Sequence, residues 1–162
     1  ETFSCVSSPI QYASVMAYQD KKYMNDYLFH SRRVLKLIGD YCYEELKNAE
    51  VKLHKHDGGF YLFPDFSNHS SSLHSKGIRT SSQFCDQLLK DTGVALLPGS
   101  AFCRPKNEFT ARLAYVNFDG AKALKLSKKS KSIDFSVFEL EEVLKPVSVG
   151  LKFLIDWLSK KN

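Results

Sequence analysis

Arg112 lies in the run Thr110-Ala111-Arg112-Leu113-Ala114-Tyr115-Val116, otherwise almost wholly apolar, where a guanidinium is costly to bury without a partner. Its planar fork matches a carboxylate through two parallel hydrogen bonds, a geometry that the point charge of a lysine does not reproduce. Two kinds of partner answer that need. One is an acid of the chain itself, such as Asp65 or Asp119, in a structural bridge; the other is the acid group of a ligand. Spacing leaves both open.

No other cluster makes a self-sufficient active site. His54 and His56 are two residues apart and would share a face of a strand, a spacing that could hold a metal. No cysteine or carboxylate cluster completes the set, so surface histidines and no metal are expected. Cys5, Cys42, Cys85 and Cys103 never form a CxxC pair and are expected to be reduced thiols. Gly58-Gly59 lacks the spacing of a phosphate loop, and neither a P-loop nor GxSxG occurs.

The elements that must position these residues belong to a chain of 162 residues, 43% hydrophobic and 13% aromatic, enough for one ordinary core and against intrinsic disorder. The 23 basic and 18 acidic residues leave a formal charge of +5. The densest positive run, Lys125 to Lys131, has no interleaved aromatic platform; it is read as a solvated linker, and nucleic acid is not an expected partner. No apolar run reaches the ~18 residues of a membrane span. No leader pattern opens the chain, so a cytoplasmic location without membrane association is expected. It begins Glu1-Thr2-Phe3-Ser4 rather than with Met, and is expected to be cut from a larger protein.

Ser8 as N-cap and Pro9 at the first helical position open a helix ahead of Ile10, Ala13, Ala17 and Tyr18. Met24, Tyr27, Leu28, Val34, Leu35, Ile38, Cys42 and Leu46 form a helical stripe over about residues 23–48. The period then changes to two. Val51 to His54 reads as a half-buried strand, and Phe60 to Phe63 as a more deeply buried one that ends at Pro64. Asn68 to Lys76 reads as a surface loop, and Thr80 or Ser81 caps a helix that stops at Gly93. Val94 to Leu97 is a short strand. Thr110 to Val116 is a third good strand, with Ala111, Leu113 and Tyr115 on one face and Arg112 and Ala114 on the other. A last helical stretch runs from about residue 135 to 160, with Val143, Val147, Leu151, Leu154 and Leu158 buried and Pro146 as a kink or a restart. The fold class is therefore α+β, a small, mostly antiparallel sheet covered by helices.

In this order the segments resemble the C-terminal small domain of class I/II aminotransferases, the fold type I enzymes dependent on pyridoxal 5'-phosphate. Ser7-Ser8-Pro9-Ile10-Gln11-Tyr12-Ala13 resembles the start of the family's inter-domain helix, and Arg32-Arg33 its paired arginines. Gly58-Gly59-Phe60-Tyr61-Leu62-Phe63-Pro64-Asp65-Phe66 is similar to its glycine-aromatic strand. Gly93-Val94-Ala95-Leu96-Leu97-Pro98-Gly99-Ser100-Ala101-Phe102 is similar to its "GV…PGSAF" strand and turn. Thr110 to Val116 resembles the strand with the substrate-binding arginine.

The resemblance implies a single domain over residues 1–162, with inter-domain helices at 1–48, a sheet with helix at 49–120 and C-terminal helices at 121–162. It implies a parent homodimer that moves an amino group from an amino acid, aspartate or alanine among them, to a 2-oxo acid. Arg112 would bind the substrate α-carboxylate, Phe60 would wall the substrate pocket, and Ser8, within the segment Ser4 to Ser8, would lie near the cofactor phosphate. The cofactor-linked lysine, the acid facing the ring nitrogen and most phosphate ligands belong to the family's large domain. This chain alone is therefore expected not to transaminate. A stand-alone, non-catalytic interaction module with the same fold is the alternative. Members commonly carry Gly where Cys103 follows Phe102; if that position needs a positive φ, cysteine costs on the order of 1 kcal/mol there.

Overall fold

The computed structural model describes residues 5–19, 21–130 and 136–160, the side chain of residue 138 excepted. Six α-helices and three short strands follow one another: α1 (Ser8–Gln19), α2 (Lys21–Asn48), β1 (Tyr61–Leu62), α3 (Ser70–Ser75), α4 (Ser81–Thr92), β2 (Leu97–Pro98), β3 (Ala111–Ala114), α5 (Gly120–Lys129) and α6 (Glu141–Ser159). Short 3-10 turns precede α3 and α6, and another (Gly99–Phe102) follows β2. The sheet is antiparallel, in the order β1-β3-β2, so the arginine strand is central. Tyr61 pairs with Ala114, Leu62 with Leu113, Leu97 with Arg112 and Pro98 with Ala111. Pro98 is tolerated because β2 is an edge strand.

The two-residue period of β3 divides the sheet. Ala111, Leu113 and Tyr115 are buried, whereas Arg112 is half-buried and Ala114 exposed. The inner face packs with Val34, Ile38, Cys42 and Leu46 of α2, Phe84 and Leu88 of α4, and the α6 stripe, all part of one core. The whole expected stripe of α6 is buried, together with Leu144 and Trp157. Pro146 lies inside that helix rather than at a break between two. Both ends of α4 are as expected: the Thr80 hydroxyl accepts from the Gln83 amide at 3.2 Å, and Gly93 closes the helix at φ 77°.

Several expected elements differ. Val51 to His54 makes no strand; Lys52 alone bridges to Asp65 before the chain turns toward α2. Phe60 to Phe63 is not deeply buried: Leu62 faces the core, and Phe60, Tyr61 and Phe63 stay exposed. Asn68 to Lys76 is not a loop. A 3-10 turn (Ser67–His69) leads into α3, whose Leu73 is fully buried and whose end is closed by Gly77 at φ 78°. The strand expected over Val94 to Leu97 is shifted to Leu97–Pro98. Lys125 to Lys129 is helical rather than a linker, because Ser127 is buried against α2.

The first helix starts at Ser8 itself and buries no residue. The α2 stripe is buried only from Val34 onward, and Tyr27 is exposed. Residue 131 of the lysine run, residue 135 of the last helical stretch and residue 4 of the N-terminal segment lie outside the described residues.

All four thiols are free, with Cys42 and Cys85 buried and Cys5 and Cys103 exposed. Burial pushes the Cys42 and Cys85 thiols up to about 12, and the Tyr115 phenol likewise to about 12. A group held protonated by the fold destabilises it once the unfolded chain can ionise. From neutral pH the urea-denaturation midpoint is therefore expected to be flat to about pH 8.5 and to fall as pH climbs toward 12. A midpoint that rises over that window would contradict the burial of these groups.

Candidate functional site

The outer face of the sheet carries Arg112. Its alternation with Ala111 and Leu113 turns the guanidinium away from the core, and β1 and the turn after β2 bring aromatic rings to it from opposite flanks of β3. The guanidinium carbon stands 4.4 Å from the centre of the Tyr61 ring and 4.7 Å from that of Phe102. Phe60 packs on Tyr61 at 4.3 Å between centroids, and Phe63 meets Phe102 edge to face at 5.8 Å. The order Phe60, Tyr61, Arg112, Phe102, Phe63 thus makes a row of rings with one cation at its middle. All four rings keep between 36% and 42% of their surface exposed.

Both internal partners that the sequence left open are engaged elsewhere. Asp65 accepts from the Ser67 amide at 2.8 Å, and Asp119 caps α5 by accepting from the Lys122 amide at 2.9 Å. Among the described residues no carboxylate forms an ion pair with Arg112. The rings cover the guanidinium without satisfying its N–H groups, which keep their capacity for a planar acid.

Two close approaches of backbone hold the row. A Cβ on Gly99 would stand 2.0 Å from the Thr110 hydroxyl and 2.9 Å from the Thr110 carbonyl, which itself accepts the Gly99 amide at 2.7 Å. Only glycine lets the Gly99–Phe102 turn lie that close to β3 and deliver Phe102. On the other flank, the Tyr115 hydroxyl donates to the Gly59 carbonyl at 3.1 Å, next to Phe60 and Tyr61. His56 is not a surface residue, as the sequence led us to expect: its side chain is 7% exposed, and a Cβ on Gly39 would meet its ring at 2.3 Å. Its Nε2 faces Asp40 at 3.7 Å. Burial works against the Asp40 charge, yet Lys36 and Lys55 hold its carboxyl below the usual carboxylate range. His54 is exposed, and the two histidines share no metal-binding face.

Of the residues singled out from sequence, Arg112 and Phe60 are thus brought into one row. Ser8 opens α1, exposed, with no recorded contact to that row. Tyr61 and Phe102 were not singled out, although both lie within segments carrying the resemblance; cross-strand register for Tyr61 and the seating of the turn after β2 for Phe102, which sequence does not print, bring them to Arg112. A second arrangement, Ser127–His30–Asp26, has a serine–histidine distance of 2.9 Å and a histidine–aspartate distance of 3.6 Å. It cannot serve as a nucleophilic triad, because the serine is fully buried and the aspartate is the exposed member. It fastens α5 to α2.

The sequence pattern of the family described as Aminotransferase class I and II matches residues 1–119. The chain belongs to that family. Within it, the chain is 34% identical over 105 residues to an aspartate aminotransferase of Thermotoga maritima, covering 64% of this chain and 23% of that protein. It is 33% identical over 99 residues to the 1-aminocyclopropane-1-carboxylate synthase 6 of Oryza sativa, covering 61% and 18%. A crystal structure of the Thermotoga maritima aspartate aminotransferase superposes with a TM-score of 0.57 at 25% identity, over 98% of this chain and 30% of that one. The aromatic aminotransferase of Pyrococcus horikoshii gives 0.53 at 25% identity, over 86% and 32%. The chain spans about a quarter or less of the length of the curated relatives it matches.

The position after Phe102, where family members commonly have Gly, is left-handed, with Cys103 at φ 61° and ψ 19°. Two substitutions test the turn. Cys103→Gly is expected to stabilise the chain by about 0.5–1 kcal/mol by relieving that conformation. Gly99→Ala is expected to destabilise it by about 1–3 kcal/mol as the turn is forced off β3. Urea denaturation checks both, and equal midpoints for the three proteins would refute the geometry described.

Proposed function

We propose that this chain is the small domain, residues 1–162, of a pyridoxal-phosphate-dependent aminotransferase, and that Arg112 holds the α-carboxylate of the amino-acid and 2-oxo-acid substrates. The observation that carries the reading is a guanidinium on the outer sheet face with no acid of the described residues paired to it. A half-open guanidinium between two rings keeps its N–H groups available, and a substrate carboxylate matches their fork. Phe60, at the end of the ring row, would form a wall of the pocket.

Pyridoxal phosphate, implied by the family, gives such an enzyme an electron sink at the substrate α-carbon. The ring row does not fit that cofactor by itself, because it presents one guanidinium among four aromatic rings and no lysine amine or cluster of phosphate donors. The cofactor would be held by other parts of a larger polypeptide, with Ser8 near its phosphate. This chain contributes carboxylate binding, orientation of the substrate α-carbon and exclusion of water by the rings. Aspartate and alanine are the donors proposed.

The unburied apolar surface supports a larger assembly. Ile10, Tyr12, Met16 and Tyr18 of α1 and Tyr23 and Phe29 of α2 are all more than half exposed, more apolar surface than a free-standing helix pair usually presents to water. The proposed occupants are a large domain of the same polypeptide and a second subunit.

The test is amino transfer by the complete enzyme carrying Arg112→Leu. Catalytic efficiency is expected to fall at least about 100-fold, or about 2.7 kcal/mol. Arg112→Lys should recover little of it, since the fork is lost. A loss under about tenfold would overturn the carboxylate role.

A further inference from the structure

The rings on the two flanks of Arg112 have a consequence for how the acid is held, and we infer that Tyr61 and Phe102 are positioning residues that set the plane of the guanidinium for the substrate carboxylate. This rests on the carboxylate role proposed above. An arginine side chain has four rotatable carbon bonds and, when exposed, samples many orientations; fixing it on binding costs free energy that preorganisation removes. Here one ring comes from β1 and the other from the turn that follows β2, the two elements on opposite sides of β3, at 4.4 and 4.7 Å from the guanidinium carbon. A cation at those distances lies over the faces of both rings, where their π-electrons attract it. The rings accept none of the in-plane N–H groups as a carboxylate would, so a guanidinium held between them keeps its fork for a bidentate acid.

Both rings are themselves held. Tyr61 is paired to Ala114 in the ladder and backed by Phe60 at 4.3 Å. Phe102 ends the turn that Gly99 seats on Thr110 and is backed by Phe63 at 5.8 Å. What Tyr61 offers the guanidinium is its ring, whose centre stands 4.4 Å from the guanidinium carbon.

The amino donor and the 2-oxo acceptor present the same carboxylate to Arg112. Loss of either ring should therefore weaken both substrates alike while leaving the chemical step untouched. In the complete enzyme, Tyr61→Leu and Phe102→Leu are each expected to raise KM for donor and acceptor together by about five- to twenty-fold. kcat should stay within about twofold, and Tyr61→Phe should behave as wild type. In the 162-residue chain, the Arg112 Nε–H resonance is expected to be displaced by the ring currents and to move toward the position of free arginine in either leucine variant. If Arg112→Leu abolishes carboxylate binding but the two leucine variants leave KM unchanged, the positioning role is wrong and the carboxylate role stands. If Arg112→Leu leaves KM unchanged, the carboxylate role fails, and the positioning role with it. A fall in kcat at constant KM for the leucine variants, or a Tyr61→Phe variant as impaired as Tyr61→Leu, would also overturn the inference.

Discussion

A guanidinium cannot be taken out of water without something to receive its N–H groups, and aromatic rings are poor receivers. They stabilise the charge through their faces but leave the edge of the fork unsatisfied. Arg112 therefore has to sit on the outer face of the sheet, half open, while Ala111, Leu113 and Tyr115 of the same strand seal the core beneath it. The rest of the structure follows from that division. The strand must be central, because both flanks are needed to bring a ring, and the helices must cover the opposite face only.

Close backbone contacts convert this division into a fixed geometry. Gly99 lies against Thr110 and Gly39 against His56 and Tyr115, each at separations that a Cβ would not permit. Through the first the turn bearing Phe102 is seated; through the second the segment ahead of Tyr61 is drawn onto α2, with Tyr115 donating to Gly59. The strand that offers the arginine to the outside thus uses a residue of its inner face to secure one of the rings beside it. Packed interiors transmit such placement because they have little free volume to absorb a shift.

The distribution of apolar surface divides the molecule differently. The C-terminal half of α2, α4 and α6 share a well-filled core, whereas α1 and the start of α2 present aromatic side chains to solvent. So many exposed aromatic side chains on neighbouring helices are unusual for a free-standing chain. It accords with a chain covering only about a quarter of its aminotransferase relatives.

Strong local chemistry was legible without coordinates. The Thr80 cap, the Gly93 stop, the α6 stripe and the alternation around Arg112 all depend on neighbours within one or two turns of chain, and all were found where expected. Where long-range packing decides, the reading failed: a serine-rich segment became helix because Leu73 is buried, and Phe60 to Phe63 stayed open because only Leu62 meets the core. The likeness of the ordered segments, with Arg112 in its strand, was likewise present in the residues alone. What only the tertiary structure decided was that Asp65 and Asp119 are occupied elsewhere and that Tyr61 and Phe102 close on the guanidinium. Strand register and turn placement couple Arg112 to residues about ten and about fifty positions away, and no local preference for helix, strand or turn carries that information.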